Sequence, residues 1–237
     1  MPPSPPQADP HPAASLTGIS KLYGSFAALR NVTLTLPAGQ CIMVLGENGA
    51  GKSTLLRTLA GLIRPTLGTL TVLGGDPDDV RSRIGYMSHA SMLYDELSAL
   101  ENLRYFHSLY SADSPLDPAA PALALTAVGL DPALTRPVAN YSQGMRQRAS
   151  MARAMLTQPD LLLLDEPFSN LDAGGAAQMV THLAAFRVAS PHRTVILTTH
   201  QPQLAESIAD TIVTMHAGQI LSVISRVAKS SEAEARA

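Results

Sequence analysis

The 237-residue chain has no tryptophan, a single cysteine, and charged side chains at only 15% of its positions. One thiol, Cys41, excludes an intramolecular disulfide and fits a reducing compartment. Placed between Gln40 and an apolar run, it is expected to be buried and inert. No stretch of about 18 apolar residues occurs, so the chain does not cross a bilayer by itself and any membrane role needs a partner. The 17 Lys and Arg against 19 Asp and Glu leave a formal net charge of -2. No overall field therefore gathers nucleic acid or an anionic membrane, and nucleic acid is not an expected partner.

What is present is a 46% apolar composition, enough for one sizeable core with a small appended subdomain. The N-terminus carries six prolines in its first 13 residues and has neither the basic nor the apolar region of an export signal. Residues 1–13 are expected to be a disordered Pro-rich tail, and 226–237 a polar C-terminal tail. Between them, Val32, Leu34 and Leu36 alternate with threonines as a half-buried strand does, and Cys41 to Leu45 form a short apolar strand. A glycine-rich loop follows, and the segment from Ser53 reads as a helix. From about 91 to 156 the pattern turns helical, opening on Ser98 and Glu101 at capping-box spacing. Leu161 to Leu164 and residues 194 to 200 are continuous apolar strands of the kind buried on both faces. Strands separated by helices give an α/β fold with a largely parallel core sheet and a helical insert.

Residues 46–53, GENGAGKS, match G-x-x-x-x-G-K-[ST], and they follow a strand and open a helix as a phosphate-binding loop must. Glycines let successive amides face phosphate oxygens, and the helix start adds its positive end. Lys52 is placed to bridge the outer phosphates. Ser53 offers a hydroxyl to magnesium, and Thr54 can donate to an inner phosphate. Asp165 ends a buried strand, where α/β folds bind ligands, and is expected to hold Mg2+ through water. Glu166 beside it would accept a proton from, or orient, an attacking water. His200, after the last long apolar strand, is close enough in this topology to reach the γ-phosphate or that water; a strand-end surface residue is the alternative. Tyr23 can stack on adenine, or serve as an ordinary edge-strand aromatic.

In order along residues 14–225, Tyr23, GENGAGKST at 46–54, YSQGM at 141–145, LLLLDEP at 161–167, SNLD at 169–172 and His200 make the chain resemble an ABC transporter ATP-binding subunit. The resemblance implies an α/β P-loop NTPase domain over 14–225 with a largely parallel core sheet, an antiparallel β-subdomain and a helical ABC-signature subdomain that spans about 91–156. It implies Mg2+ and ATP, with nucleotide contacts from Tyr23, Asn48, Gly49, Ala50, Gly51, Lys52, Ser53, Thr54 and Asp165. Ser142 and Gly144 would touch the ATP held by a second copy of the subunit. Catalysis would fall to Glu166, Lys52 and His200, the metal to Ser53 and Asp165, and the central seam of the dimer to Ser169 and Asp172. Integral membrane permease subunits would be the other partners, met by the segment 91–97 and the helix bearing Tyr105, Phe106 and Tyr110. The subunit would then lie on the cytoplasmic face of the cell membrane.

Two positions depart from the family pattern. The signature reads YSQGM where LSGGQ is usual, so the contact of the final glutamine is lost while the serine and second-glycine contacts survive. His89 stands twelve residues before Glu101, where a glutamine is usual; a neutral imidazole brings a hydrogen bond but no amide oxygen. The stretch YMSHASMLYDELSALENLRYF is similar to the ATP-binding subunit of the haem exporter of c-type cytochrome maturation. Another ABC exporter, for drug, lipid or polysaccharide, and a non-transport regulatory ABC protein are the alternatives.

Overall fold

A computed structural model describes residues 11–110 and 117–226. Strands β1 (Ala14–Tyr23) and β2 (Phe26–Leu36) form a hairpin, β3 (Cys41–Leu45) leads into helix α1 (Lys52–Leu59), and β4 (Leu67–Val72) returns to β1. After β5 (Ile84–Met87) come α2 (Ala99–Tyr110), α3 (Ala120–Ala127) and α4 (Gln143–Met155). The chain then runs through β6 (Leu161–Asp165), α5 (Ala173–Val188), β7 (Thr194–Thr198), α6 (Pro202–Ala205), β8 (Thr211–His216) and β9 (Gln219–Ser225).

Three strands, in the order β2-β1-β4, make an antiparallel sheet, and six, in the order β5-β6-β7-β3-β8-β9, make the core sheet. Its first five strands are parallel and only β9 runs against its neighbour. Successive residues of the central strands point to opposite faces, which is why they are apolar without alternation. Cys41, Met43, Leu162, Leu164, Val195 and Leu197 pack beneath the helical side. Ile42, Val44, Leu161, Leu163 and Ile196 pack against α1 and the antiparallel sheet. Leu161 to Leu164 are fully buried, each contributing about 1.5–3 kcal/mol of transfer free energy.

Helix α2 starts on the expected capping box. Ser98 donates from its backbone N–H and its hydroxyl to Glu101 Oε2 at 2.8 and 2.7 Å, and Glu101 N–H donates back to Ser98 Oγ at 3.3 Å. These bonds hold the Glu101 carboxyl below its usual range. The residues before it are not helical, contrary to a helical region opening near 91. Buried Asn102 accepts from Tyr94 N–H at 2.7 Å and donates to the Tyr94 and Ser98 carbonyls, each at 3.0 Å, so this loop is pinned by a side chain instead of a helical ladder.

The segment boundaries also move. Ala13 is buried and its carbonyl accepts from Leu73 N–H at 3.0 Å, so the folded unit takes in a residue assigned to the leading tail. Arg226 is likewise tied down, by backbone to the Asp210 carbonyl at 2.7 Å and by side chain to Glu206 at 2.8 Å. Of the two expected tails, residues 1–10 and 227–237 lie outside the described residues.

Candidate nucleotide-binding site

The loop between β3 and α1 is pressed from two sides, and its glycines are what permit this. A Cβ on Gly46 would lie 2.4 Å from the Met215 carbonyl of β8, and one on Gly51, at φ 102°, would lie 2.6 Å from the Ala28 carbonyl of β2. The resulting cleft of about 270 Å3 is lined by residues 48–54 with Phe26, Ala28, His89, Asp165 and Glu166. Lys52 is buried and donates to the Gly46 and Glu47 carbonyls at 2.6 and 3.1 Å. Its ammonium is thereby fixed at the inner edge of the loop, with a third proton still to give.

Asp165, 2% exposed, closes the floor. Its Oδ1 accepts from Ser53 Oγ at 3.0 Å and from Thr198 Oγ1 at 2.8 Å. Both hydroxyls converge on one oxygen, which leaves Oδ2 for a further cation or donor. The serine hydroxyl and the carboxylate are already in contact, as a shared hard cation requires. Among the described residues no group of three or more His, Cys, Asp or Glu could hold a metal by protein ligands alone. That donor set fits Mg2+, which keeps most of its octahedron for water and phosphate oxygens and takes few protein oxygens.

Glu166 sits at φ 54°, a left-handed conformation uncommon for a residue with a side chain. The strand-end turn is held in place from two other elements. Thr198 Oγ1 accepts from Glu166 N–H at 3.0 Å, while Gln147 Nε2 of α4 donates to the Glu166 and Pro167 carbonyls at 3.4 and 2.9 Å. His200 Nδ1 lies 2.8 Å from Glu166 Oε2, and Gln201 Nε2 lies 3.1 Å from His200 Nε2. A neutral imidazole satisfies both contacts with its proton on Nδ1, accepting from the Gln201 amide at Nε2.

A second, separate cleft of about 530 Å3 opens at the starts of α4 and α5. Ser142 caps α4 by accepting from Met145 N–H at 3.2 Å, and Asp172 caps α5 by accepting from Gly175 N–H at 2.7 Å. Ser142, Gln143 and Gly144 line it with Asn170, Leu171 and Asp172, and no residue of the glycine-rich loop reaches it. Tyr141, in contrast, is buried in the helical-side core.

The structure thus places Asn48, Gly49, Ala50, Gly51, Lys52, Ser53, Thr54, Asp165 and Glu166 around one cleft, and Ser142 and Gly144 around another. Tyr23 and His200 are not among the lining residues of the first. The Tyr23 ring carries the Lys21 ammonium at 5.2 Å, and its cross-strand partner Phe26 is the aromatic that lines the cleft. His200 bonds to Glu166 from beside it. Phe26, Thr198 and Gln147 were not picked out by sequence reasoning. Only Thr198 left a signal there, as the polar end of an apolar strand.

Comparison with known proteins accords with this geometry. Residues 29–169 match the family described as ABC transporter. The ABC transporter ATP-binding protein NatA of Bacillus subtilis (strain 168) is 34% identical over 204 residues, 82% of this chain and 80% of that protein. The Nod factor export ATP-binding protein I of Rhizobium johnstonii is 35% identical over 215 residues, 87% of this chain and 67% of that protein. Among solved structures, the dimeric bacterial ABC transporter cassette MJ0796 is similar with a TM-score of 0.78 and 25% identity, over 90% of this chain and 98% of that one. A family match across more than half of the sequence, joined to a relative paralleled over four fifths of its length, decides the matter. The chain belongs to the ABC transporter family, as an ATP-binding subunit that hydrolyses ATP with Mg2+.

Proposed function

We propose that two copies of this chain close head to tail on two ATP molecules at the cytoplasmic face of the membrane and so drive export through a separate permease. The observation that carries this reading is the separation of the two clefts on one chain, one with the phosphate loop and carboxylates, the other with two helix starts. Two-fold symmetry brings each to face the other and closes the assembly. Gly144 supports it. A Cβ there would meet nothing nearer than Leu171 Cδ2 at 3.6 Å, so the fold does not require glycine in a helix that glycine weakens. The small residue instead leaves room for something approaching from outside the chain.

Within each composite pocket, Lys52 and the loop amides bind and orient the phosphates, and the α4 start of the other copy, with Ser142, completes the enclosure and excludes water. Ser53 and Asp165 would hold Mg2+, which when bound offsets charge on the phosphate oxygens. Glu166 positions the attacking water and takes its proton, with Thr198 and Gln147 fixing the turn it stands on. His200 orients the Glu166 carboxylate. Export as the direction draws on the Nod factor relative, and haem as the cargo draws on the stretch around His89.

Mixed dimers test the sharing. With Lys52→Ala and Ser142→Ala on one copy beside an unaltered copy, neither pocket is whole and hydrolysis should be lost. With the two substitutions split between copies, one pocket is whole and hydrolysis should persist at about half. The opposite pattern would place each complete site within a single chain. For the cargo, removal of the gene should abolish covalently haem-bound c-type cytochromes in haem-stained membranes; undiminished cytochromes would reject haem.

A further inference from the structure

Of the histidines among the described residues, only His89 lines the phosphate cleft. Strand β5 pairs in parallel with β6, Met87 opposite Leu164, so the chain leaving β5 emerges beside the end of β6. His89 stands two residues past Met87, and Asp165 one past Leu164. Both therefore reach the carboxyl edge of the sheet, where α/β folds hold their ligands. Buried Ser88 closes a tight turn around His89, donating from Oγ to the Ala90 carbonyl at 3.0 Å and accepting from Ala90 N–H at 3.1 Å. The turn gives the His89 side chain to the cleft and not to the core. It is exposed there, with no hydrogen-bond partner among the described residues.

The Ser53 hydroxyl from α1, the Asp165 carboxylate from β6 and the His89 imidazole from the loop after β5 thus line one space of about 270 Å3. Ser53 and Asp165 are oxygen donors already in contact at 3.0 Å. An imidazole beside them changes what the set prefers. Mg2+ is a hard ion that takes oxygen ligands and gives up its water reluctantly, so a nitrogen adds little for it. First-row transition ions accept imidazole, with affinity rising from Mn2+ through Co2+ to Ni2+. One nitrogen, one carboxylate and one hydroxyl leave half of an octahedron open, which is the room that phosphate oxygens and water need.

We propose that His89 is a metal ligand, and that it tunes this cleft toward a divalent first-row transition ion held together with the nucleotide phosphates. Mg2+ takes the same place through the two oxygen donors and leaves the imidazole idle. Residue 89 therefore sets how strongly a transition ion competes with Mg2+ for the cleft.

The probe is Co2+ with excess ADP on the isolated chain, since nothing is hydrolysed and Co2+ marks its ligands in proton NMR. A coordinated imidazole should give one exchangeable ring proton displaced far outside the diamagnetic range. That signal should vanish in His89→Gln and in His89→Ala, and persist in His200→Ala. In competition titrations, His89→Ala should lower the Co2+ to Mg2+ affinity ratio about tenfold or more, the scale on which groups around a metal move its affinity. His89→Gln, which brings an oxygen donor in place of the nitrogen, should lower the ratio as well. Thermal midpoints are measured in parallel, and whichever of the two variants folds is read. A wild-type chain without the displaced proton, or with the affinity ratio of the variants, overturns the proposal. A proton lost in His200→Ala but kept in His89→Ala assigns the ligand to His200 and overturns it too.

Discussion

His200 and Glu166 are joined twice through one oxygen: the imidazole Nδ1 lies 2.8 Å from Glu166 Oε2, and the His200 backbone N–H donates to the same atom at 3.2 Å. The second oxygen of the carboxylate is thus the one left to meet a water. Glu166→Gln should keep ATP binding and lower steady-state phosphate release by about 100-fold or more, the usual worth of a positioned base. His200→Ala loses the imidazole but not the backbone bond, and should lower kcat with little change in ATP affinity. Unchanged phosphate release in Glu166→Gln would reject the base.

Lys52→Ala removes the ammonium that the Gly46 and Glu47 carbonyls hold in the loop. Calorimetric titration should show ATP affinity reduced by about tenfold or more, the weight of one charge-assisted contact of about 1.5–3 kcal/mol. Wild-type affinity would reject its role.

Thr198 serves both acids, donating to Asp165 Oδ1 at 2.8 Å and accepting from Glu166 N–H at 3.0 Å. Thr198→Val keeps the shape and removes both bonds, leaving an amide unsatisfied at a cost of about 1–3 kcal/mol. The thermal midpoint should fall by about 2–4 °C for each kcal/mol, and kcat should fall more than ATP affinity. Thr198→Ser keeps the hydroxyl and should lie close to wild type in both, whereas a Thr198→Val chain of wild-type stability and kcat would reject the role of the two bonds.

Burial pushes the Cys41 thiol up to about 12. Since the thiolate is the reactive form, a disulfide reagent at pH 8 should leave the folded protein untouched and label it fully in denaturant. The linked stability has a definite sign. An unfolded thiol loses its proton near pH 8.5 and the folded one near 12, so the contribution is full below about 8.5 and is lost as pH rises through that window. Labelling of native protein at the denatured rate would contradict the burial.

How much of this was legible in the sequence follows from distance along the chain. The loop at 46–53 and the strands at 41–45 and 161–165 are local patterns, and their contacts obey local rules. Thr198 meets Asp165 only because β6 and β7 are neighbours and put these two residues in register. Gln147 reaches Glu166 from a helix that packs across that turn, and a polar residue inside a helical pattern reads the same whether it faces water or a carbonyl. Phe26 lines the phosphate cleft where Tyr23 was the natural choice. Tyr23 and Phe26 are cross-strand partners on one face of the hairpin, and which of the two reaches the cleft is decided by tertiary packing that the local pattern does not show.

Helix α4 carries Ser142 at its cap, Gln147 against the Glu166 turn, and Arg153 over the Phe106 ring. At 1.5 Å per residue, the cap and the arginine are about 16 Å apart on one rod. A push delivered at either end is therefore felt along its whole length, without a chain of intermediaries. The cap that lines the second cleft and the side chain that holds the Glu166 turn therefore stand on one rod, so a tilt of that helix displaces both.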